Sequence, residues 1–471
     1  MRARDTAKTR RNLILFSTCI AVFMSTLDGS IVNITLPVIS DYFSVNINSV
    51  QWIVTAYLLT ISALLLVWGK ISDIYGRKVL FAVGLVIFTL GSLMCGLSNS
   101  FIMLIISRVV QAIGASINMA LIQGIVTSIF PAAERGRALG VVGTVVAIGS
   151  LVGPSLGGIL VQLGGWQTIF FINIPFGIIG TVLTLFLMSE VEEKLEKKSF
   201  DIKGSFVFIL MITLLFIGLL SLQDGILPTG WVLGMLGGSA LLLVAFIRYE
   251  RYQANPLLDL TLFKNPIFSI NLATAYISFL AMFAYIFFMP FYLQYVLRMD
   301  VLTAGLIMSV YPLMNGITAP VSGWLSDKKA HIPLSLIGLA INTVALASVA
   351  FLDSTSSRIH VILLIMALGF GSALFQSPNT SSIMGSVPRN KLGVAGSINA
   401  FFRNFGMISG TTFSVMVFMA ITRMGIGNMT GGTFDTVLFV KGFRAVLLCT
   451  AAISLVGVAL CGYRHYRHPM K

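Results

Sequence analysis

Fourteen apolar runs, most of them close to twenty residues long, occupy most of the chain: roughly 12–38, 49–68, 79–96, 101–126, 138–163, 167–188, 204–222, 230–249, 266–297, 302–324, 332–351, 358–378, 393–420 and 439–463. About 20 apolar residues, at 1.5 Å of helical rise each, match the ~30 Å hydrocarbon thickness of a bilayer. A water-soluble domain has no interior in which to bury fourteen such runs. Composition agrees: charged residues make up 10% of the 471 positions and hydrophobic ones 56%, against roughly a quarter charged in a soluble domain. A soluble enzyme and a disordered chain are both excluded. A transmembrane barrel would need ~10-residue strands that alternate apolar and polar, whereas these runs are continuous and twice as long, which reads as helices. The expected fold is all-α and integral to the membrane, with 14 transmembrane helices.

The basic residues orient it. Of 31 Lys and Arg, 24 fall in the N-terminal tail, the even-numbered loops and the C-terminal tail, and only Arg298, Arg358, Arg423 and Lys441 in the odd-numbered loops. Cytoplasmic loops carry the Lys/Arg excess, so both termini read as cytoplasmic. The net charge of +14 is then an orientation signal and not a nucleic-acid footprint. The first apolar run lacks a small-residue cleavage site and reads as a retained span. The longest polar loop, 189–203, reads as a solvated cytoplasmic linker. Cys19, Cys95, Cys449 and Cys461 stand singly in or beside apolar runs, without metal-ligand spacing, and read as small buried residues. His465 and His468 belong to a basic tail and are not read as a metal site.

An internal repeat divides the chain. Gly69-Lys-Ile-Ser-Asp73 returns as Gly323-Trp-Leu-Ser-Asp327, 254 residues later. Leu36-Pro37 returns as Met289-Pro290, Leu139-Gly140-Val141 as Leu392-Gly393-Val394, and Gly153 and Gly157 as Gly406 and Gly410, all at an offset of 253. Matches at nearly one offset and at equivalent places in successive helices define a six-helix unit used twice. The expected organisation is an N-terminal six-helix half over 1–188, a linker with two extra transmembrane helices over 189–265, and a C-terminal six-helix half over 266–471. Two such halves, with a site between them near the midplane, are a transporter architecture.

Five motifs carry a resemblance. Gly69-Lys-Ile-Ser-Asp73-Ile-Tyr-Gly76-Arg77-Lys78 follows the second span, with glycines where a tight turn needs them and charges where they can pair. Together with its half-copy at Asp327, it resembles the signature loop of the major facilitator superfamily. Leu104-Ile-Ile-Ser-Arg108-Val-Val-Gln111-Ala-Ile-Gly114 is similar to that family's proton-transfer motif, with Ala112 where glycine is usual. Gly149, Gly153, Pro154, Gly157 and Gly158 in the fifth span resemble its antiporter motif; small residues at i, i+4 and i+8 make a smooth stripe for close helix packing. Leu27-Asp28-Gly-Ser-Ile-Val-Asn33-Ile-Thr-Leu-Pro37 and the stretch from Trp166 to Gly177, through Asn173, resemble the fourteen-spanner drug:proton antiporter branch, although Gln167 and Thr168 replace its usual Arg and Trp. The resemblance implies a major-facilitator-type fold, a cytoplasmic gate at Gly69, Asp73, Gly76, Arg77, Lys78 and Asp327, and proton-coupled antiport.

One acid lies deep in a span: Asp28. An ionised side chain at the bilayer centre costs at least about 2.5–3.5 kcal/mol, so its retention points to function. Asp28 is about 15 Å from the end of its span and Arg108 about 10 Å from the end of the fourth, by helical rise; an arginine reaches across that difference. A neighbouring cation favours the ionised carboxylate and desolvation the neutral one. Asp28 and Arg108 are therefore the expected proton-coupling pair. Arg403 lies near mid-depth of the thirteenth span with no deep acid to pair with, and meets either carbonyls or neighbouring amides such as Asn399 and Asn404, or an anionic substrate group or lipid phosphate. Arg444 lies nearer an interface and snorkels. Candidate cavity residues are Asn33, Gln111, Asn118 and Gln123 in the first half, and Gln294, Asn315, Gln376, Asn379, Asn399 and Arg403 in the second.

No nucleophile–base pair, metal cluster or phosphate-binding loop appears in the sequence, so neither an enzyme nor direct ATP drive is expected. The expected function is proton-coupled export of small amphipathic molecules or drugs by alternating access, with no cofactor beyond the proton gradient. The alternative is movement of a lipid or lipid-like anion. The expected partners are substrate, protons and membrane lipids, with no nucleic acid, for a monomer in a bacterial cell membrane.

Overall fold

A computed structural model describes residues 2–130, 132–187, 200–224, 227–253, 255–328, 331–388, 391–422 and 435–467. The described residues contain helices and no strands. They are α1 (Arg2–Phe43), α2 (Ile47–Tyr75), α3 (Arg77–Gly96), α4 (Phe101–Ile129), α5 (Ala132–Gly164), α6 (Thr168–Phe171), α7 (Asn173–Leu187), α8 (Ile202–Asp224), α9 (Thr229–Glu250), α10 (Pro266–Phe291), α11 (Val301–Met308), α12 (Val310–Lys328), α13 (His331–Val349), α14 (Arg358–Gly385), α15 (Leu392–Thr422) and α16 (Thr436–Arg467). In hydrocarbon every backbone N–H and C=O must be paired within the segment, which leaves the helix as the form these runs can take.

Thirteen helices among the described residues are long and apolar enough to cross a membrane. The run expected over 332–351 corresponds to the shorter apolar stretch Leu334–Val349. Two expected spans are interrupted: the sixth is divided between α6 and α7, and the tenth between α11 and α12 at Ser309. A π-helical turn, Tyr292–Val296, follows Pro290 at the end of α10, where proline removes one rung of the hydrogen-bond ladder. The linker expected over 189–203 lies mostly outside the described residues.

Short polar residues start the helices. Asn46 accepts from the Ser49 N–H at 2.7 Å and Ser100 from Met103 at 3.2 Å, which satisfies donors that the first turn leaves open. Gly76 joins α2 to α3 at φ +87°, a conformation closed to most L-residues.

α1 packs on α5 and α7, α3 on α4 and α7, and α2 on α4; farther along, α10 packs on α15 and α16, α13 on α14 and α16, and α12 on α14. Three seams connect the two groups: α2 on α15, α5 on α11 and α12, and α1 on α10. α8 and α9 pack on each other, and α8 also reaches α2 and α15, with Phe208 5.4 Å from Phe401 and Phe216 5.5 Å from Phe405 between ring centroids. The matched glycines perform matched tasks: Gly153 and Gly157 lie against Ser30 and Ile31 of α1, and Gly406 and Gly410 against Tyr276 and Leu280 of α10.

Cys19, Cys95 and Cys461 are buried, but Cys449 is exposed, a correction to the expectation for all four. It falls on the outer side of α16, whose neighbours Val446, Leu447, Thr450 and Ala451 face inward.

Candidate functional site

α1 carries Asp28 into a fully buried position beside α4. Arg108 Nη1 donates to Asp28 Oδ2 at 2.6 Å, with neither side chain more than 1% exposed. Gln111, one helical turn along α4, donates through Nε2 to Asp28 Oδ1 at 2.8 Å, and Asn173 at the start of α7 donates to the same oxygen at 3.3 Å. The carboxylate thus accepts from three side chains on two other helices. Arg108 is itself held: Nε donates to Ile53 O at 3.2 Å, Nη1 to Gln111 Oε1 at 2.6 Å, and its guanidinium carbon lies 4.1 Å from the centroid of the Tyr57 ring. Gln111 also donates to Ser92 Oγ at 2.8 Å, and its Oε1 accepts from Cys95 Sγ at 3.7 Å.

The network's charge balance depends on whether Asp28 carries a proton. With Asp28 ionised, the pair is neutral overall and each charge compensates the other. Removing one partner from such a buried pair costs about 3–5 kcal/mol, because the survivor is left uncompensated. A proton on Asp28 cancels the attraction without removing the carboxyl group. A protonated carboxyl needs an acceptor, and Asn173 Oδ1 is buried with no partner among the described residues. The Tyr57 hydroxyl, equally unpartnered, is a further polar group beside the guanidinium.

The small-residue stripe of α5 lies directly behind this pair. Gly149, Gly153 and Gly157 meet α1 at Thr26, Ser30 and Ile31, while Gly158 meets the Leu302 backbone of α11. Ser30 Oγ donates to Gly149 O at 3.2 Å. On the same crossing, a Cβ added at Gly305 would run into the Pro154 carbonyl. α5 is therefore pressed between the helix that carries Asp28 and a helix from the other group.

The loop between α2 and α3 is fixed from within its own group: Arg77 Nη1 donates to Gly124 O of α4 at 2.9 Å. Gly69 accepts from Ser72 Oγ through its carbonyl at 2.7 Å, and Lys78 is half-buried. The side chains of Asp73, Asp327 and Gln123 lie outside the described ones.

The remaining amides divide by task. Asn33 donates to Gly29 O on its own helix at 2.7 Å, and Asn118 turns toward Gly84 of α3. Asn379 bonds to Thr274 and Asn271 and joins α14 to α10. Gln294 donates to Ile34 O of α1 at 2.9 Å, beside Tyr295, which donates to Pro37 O at 3.0 Å and Asp41 Oδ1 at 2.8 Å. Gln294 is thus a bridge between helix groups at the C-terminal end of α1. Asn315, Gln376 and Asn399 are half-buried. Arg403 is also half-buried; its Nε has no partner among the described residues, and its guanidinium carbon lies 6.0 Å from the Phe279 ring centroid. Asn404 bonds to its own helix at Ala400 O instead. Arg444 Nε donates to Ala350 O at 3.2 Å. Asn173 as a ligand of Asp28 and Tyr57 under Arg108 were not among the expected site residues; only the motif around Asn173 marked it.

Long apolar helices packed around a buried carboxylate–guanidinium pair define a helical membrane transporter. The chain belongs to the Major Facilitator Superfamily, whose family profile matches residues 18–411. It is 39% identical over 402 residues to the riboflavin transporter RibZ of Clostridioides difficile (strain 630), covering 85% of this chain and 87% of that one. It is 30% identical to the multidrug transporter protein MdtP of Bacillus subtilis (strain 168), covering 91% and 78%. The multidrug resistance protein Stp of Mycobacterium tuberculosis (strain CDC 1551 / Oshkosh) is 32% identical over 84% of this chain and 74% of its own. Among solved structures, a bacterial homologue of the human lysosomal transporter Spinster, inward-facing and unoccupied, superposes with a TM-score of 0.69 over 96% of both chains at 18% identity, a likeness of fold. The family is one of small-molecule transporters and not of enzymes.

Proposed function

We propose that this protein is a proton-coupled antiporter that exports small amphipathic molecules by alternating access, driven by the proton gradient without a bound cofactor. The observation that carries this reading is the Asp28–Arg108 pair, buried and ligated by Gln111 and Asn173. A titratable carboxylate inside a membrane protein is costly unless it is used. Proton entry is worth about 2.3 kcal/mol per charge per 100 mV, in addition to the pH gradient. The α5 stripe links the pair to the seam with α11, which gives a change in protonation a mechanical route to the other helix group. The two six-helix halves, the two extra helices between them, the fourteen-span count and cytoplasmic termini belong to this same reading. Relatives named for riboflavin and for multidrug transport support a small organic cargo.

A second reading, transport of a lipid or lipid-like anion, has one observation in its favour: Arg403, with its Nε unpartnered among the described residues. The test is proton release from unbuffered purified protein on addition of substrate. Cationic and neutral amphiphiles that release protons from the native chain, but not from Asp28→Asn, support antiport. Binding of anionic lipids alone, without proton release, favours the second reading.

A further inference from the structure

Arg464 differs from every other arginine in the packed interior. It is 1% exposed, and Nε, Nη1 and Nη2 all lack a hydrogen-bond partner among the described residues. A guanidinium cannot shed its proton to escape such a site, and an uncompensated buried charge is expensive. The adjacent C-terminus of α16 offers only a partial negative charge.

The surroundings follow from helix register. Ser454, Gly457, Cys461 and Arg464 recur at spacings of three and four and form one buried face of α16. Gly457 lies against Ile277 of α10, and one turn on, the Cys461 thiol interacts with Thr274. Ascending α16 descends α10, so the next turn sets Arg464 level with Asn271. Asn271 is buried, and both polar atoms of its amide are unpartnered. On α14, Asn379 bonds to the Asn271 carbonyl at 3.0 Å; Ser382, three residues along the same face, is buried with its hydroxyl unpartnered. Three helices thus bring a guanidinium fork, an amide and a hydroxyl to within about one helical turn of each other in depth, all buried, and none of them has a partner among the described residues.

We propose that Arg464, Asn271 and Ser382 form a binding site for a phosphate group, supplied by a phospholipid headgroup or by free inorganic phosphate. The donors come from separate helices, which suits an anion with several acceptor oxygens, and the guanidinium fork matches two of them at once. Asn271 is five residues from the start of α10 and Arg464 three from the end of α16, or roughly 5–8 Å by helical rise, the level of lipid headgroups and not of the bilayer centre. The site is separate from Asp28 and stands whatever the transported cargo is.

The test is the melting temperature of the purified full chain in phosphate-free detergent. Short-chain phosphatidylglycerol should raise it, and a galactosyl diacylglycerol, which lacks phosphate, should not. Inorganic phosphate that acts alone identifies free phosphate as sufficient; a response confined to phosphatidylglycerol identifies the lipid. Arg464→Gln should weaken the apparent affinity by about tenfold or more, the loss expected for a charged hydrogen bond. Asn271→Asp supplies an internal carboxylate, and should raise the resting melting temperature and abolish the response, which keeps the test decisive if Arg464→Gln fails to fold. No response of the native chain to either phosphate compound, or an equal response in Asn271→Asp, overturns the proposal.

Discussion

Arg108 Nη1 and Asp28 Oδ2 lie 2.6 Å apart between α4 and α1, eighty residues apart in sequence, with both side chains closed to solvent. That contact ties the charge on one helix to the position of another. Gln111 bonds to both members, so the pair and the amide form one connected network.

Loss of Arg108 alone should therefore cost more than loss of the whole pair. Arg108→Gln is expected to destabilise the purified protein by about 3–5 kcal/mol, the penalty for a stranded buried charge. Adding Asp28→Asn should restore part of that stability. Thermal unfolding of the four members of the double-mutant cycle measures it, and strict additivity would contradict the coupling.

Where α5 faces α11 and α12 it leaves no room at one glycine, Gly305 of α11, and ample room at another, Gly316 of α12. Gly305→Ala places a methyl group against the Pro154 carbonyl and should cost about 1–3 kcal/mol, with a matching loss of transport. Gly316→Ala, whose nearest neighbour would be Ala147 Cβ at 3.8 Å, should leave both unchanged. Equal behaviour of the two variants would remove the seam from the mechanism.

Tyr295 closes the two helix groups over the C-terminal end of α1. Tyr295→Phe deletes the single hydroxyl proton shared between Pro37 O and Asp41 Oδ1, worth about 0.5–1.5 kcal/mol. The contact between the two helix groups should open more often, read as faster thiol labelling of a cysteine introduced at half-buried Val38, which leaves both acceptors in place. An unchanged labelling rate would show that other contacts hold this end.

Much of the site was legible in the sequence because deep charge is rare in an apolar helix. Asp28 stood alone among the acids, and helical rise was enough to nominate Arg108. Amides are less readable, since the same residue type can line a cavity, bond to its own helix or join two helices. Gln111 belongs to the Asp28 network, Asn33 bonds to Gly29, and Gln294 bridges helix groups. Arg464 was hidden by its position: the apolar run ends at 463, so a buried arginine reads as the first residue of a basic tail. The interruption at Ser309 has its announcer in Pro312, which cannot donate to the Met308 carbonyl and crowds it; the expected span over 302–324 runs through it.

The short apolar helix Leu334–Val349 decides the span count. In a background lacking the exposed Cys449, Tyr252→Cys should be labelled by a membrane-impermeant reagent only from the cytoplasm, and Ser354→Cys only from outside. Three crossings separate those positions if Leu334–Val349 spans the membrane, and two if it does not. Labelling of both from the same side would reduce the count.

The central claim is that Asp28 carries the coupled proton, and it is tested most directly in proteoliposomes with an imposed pH gradient. Asp28→Asn is nearly isosteric and cannot titrate. It is expected to bind substrate but build no substrate gradient, while the native chain accumulates substrate against its concentration. An Asp28→Asn protein that still drives uphill transport from the pH gradient would contradict the account and move coupling to another group.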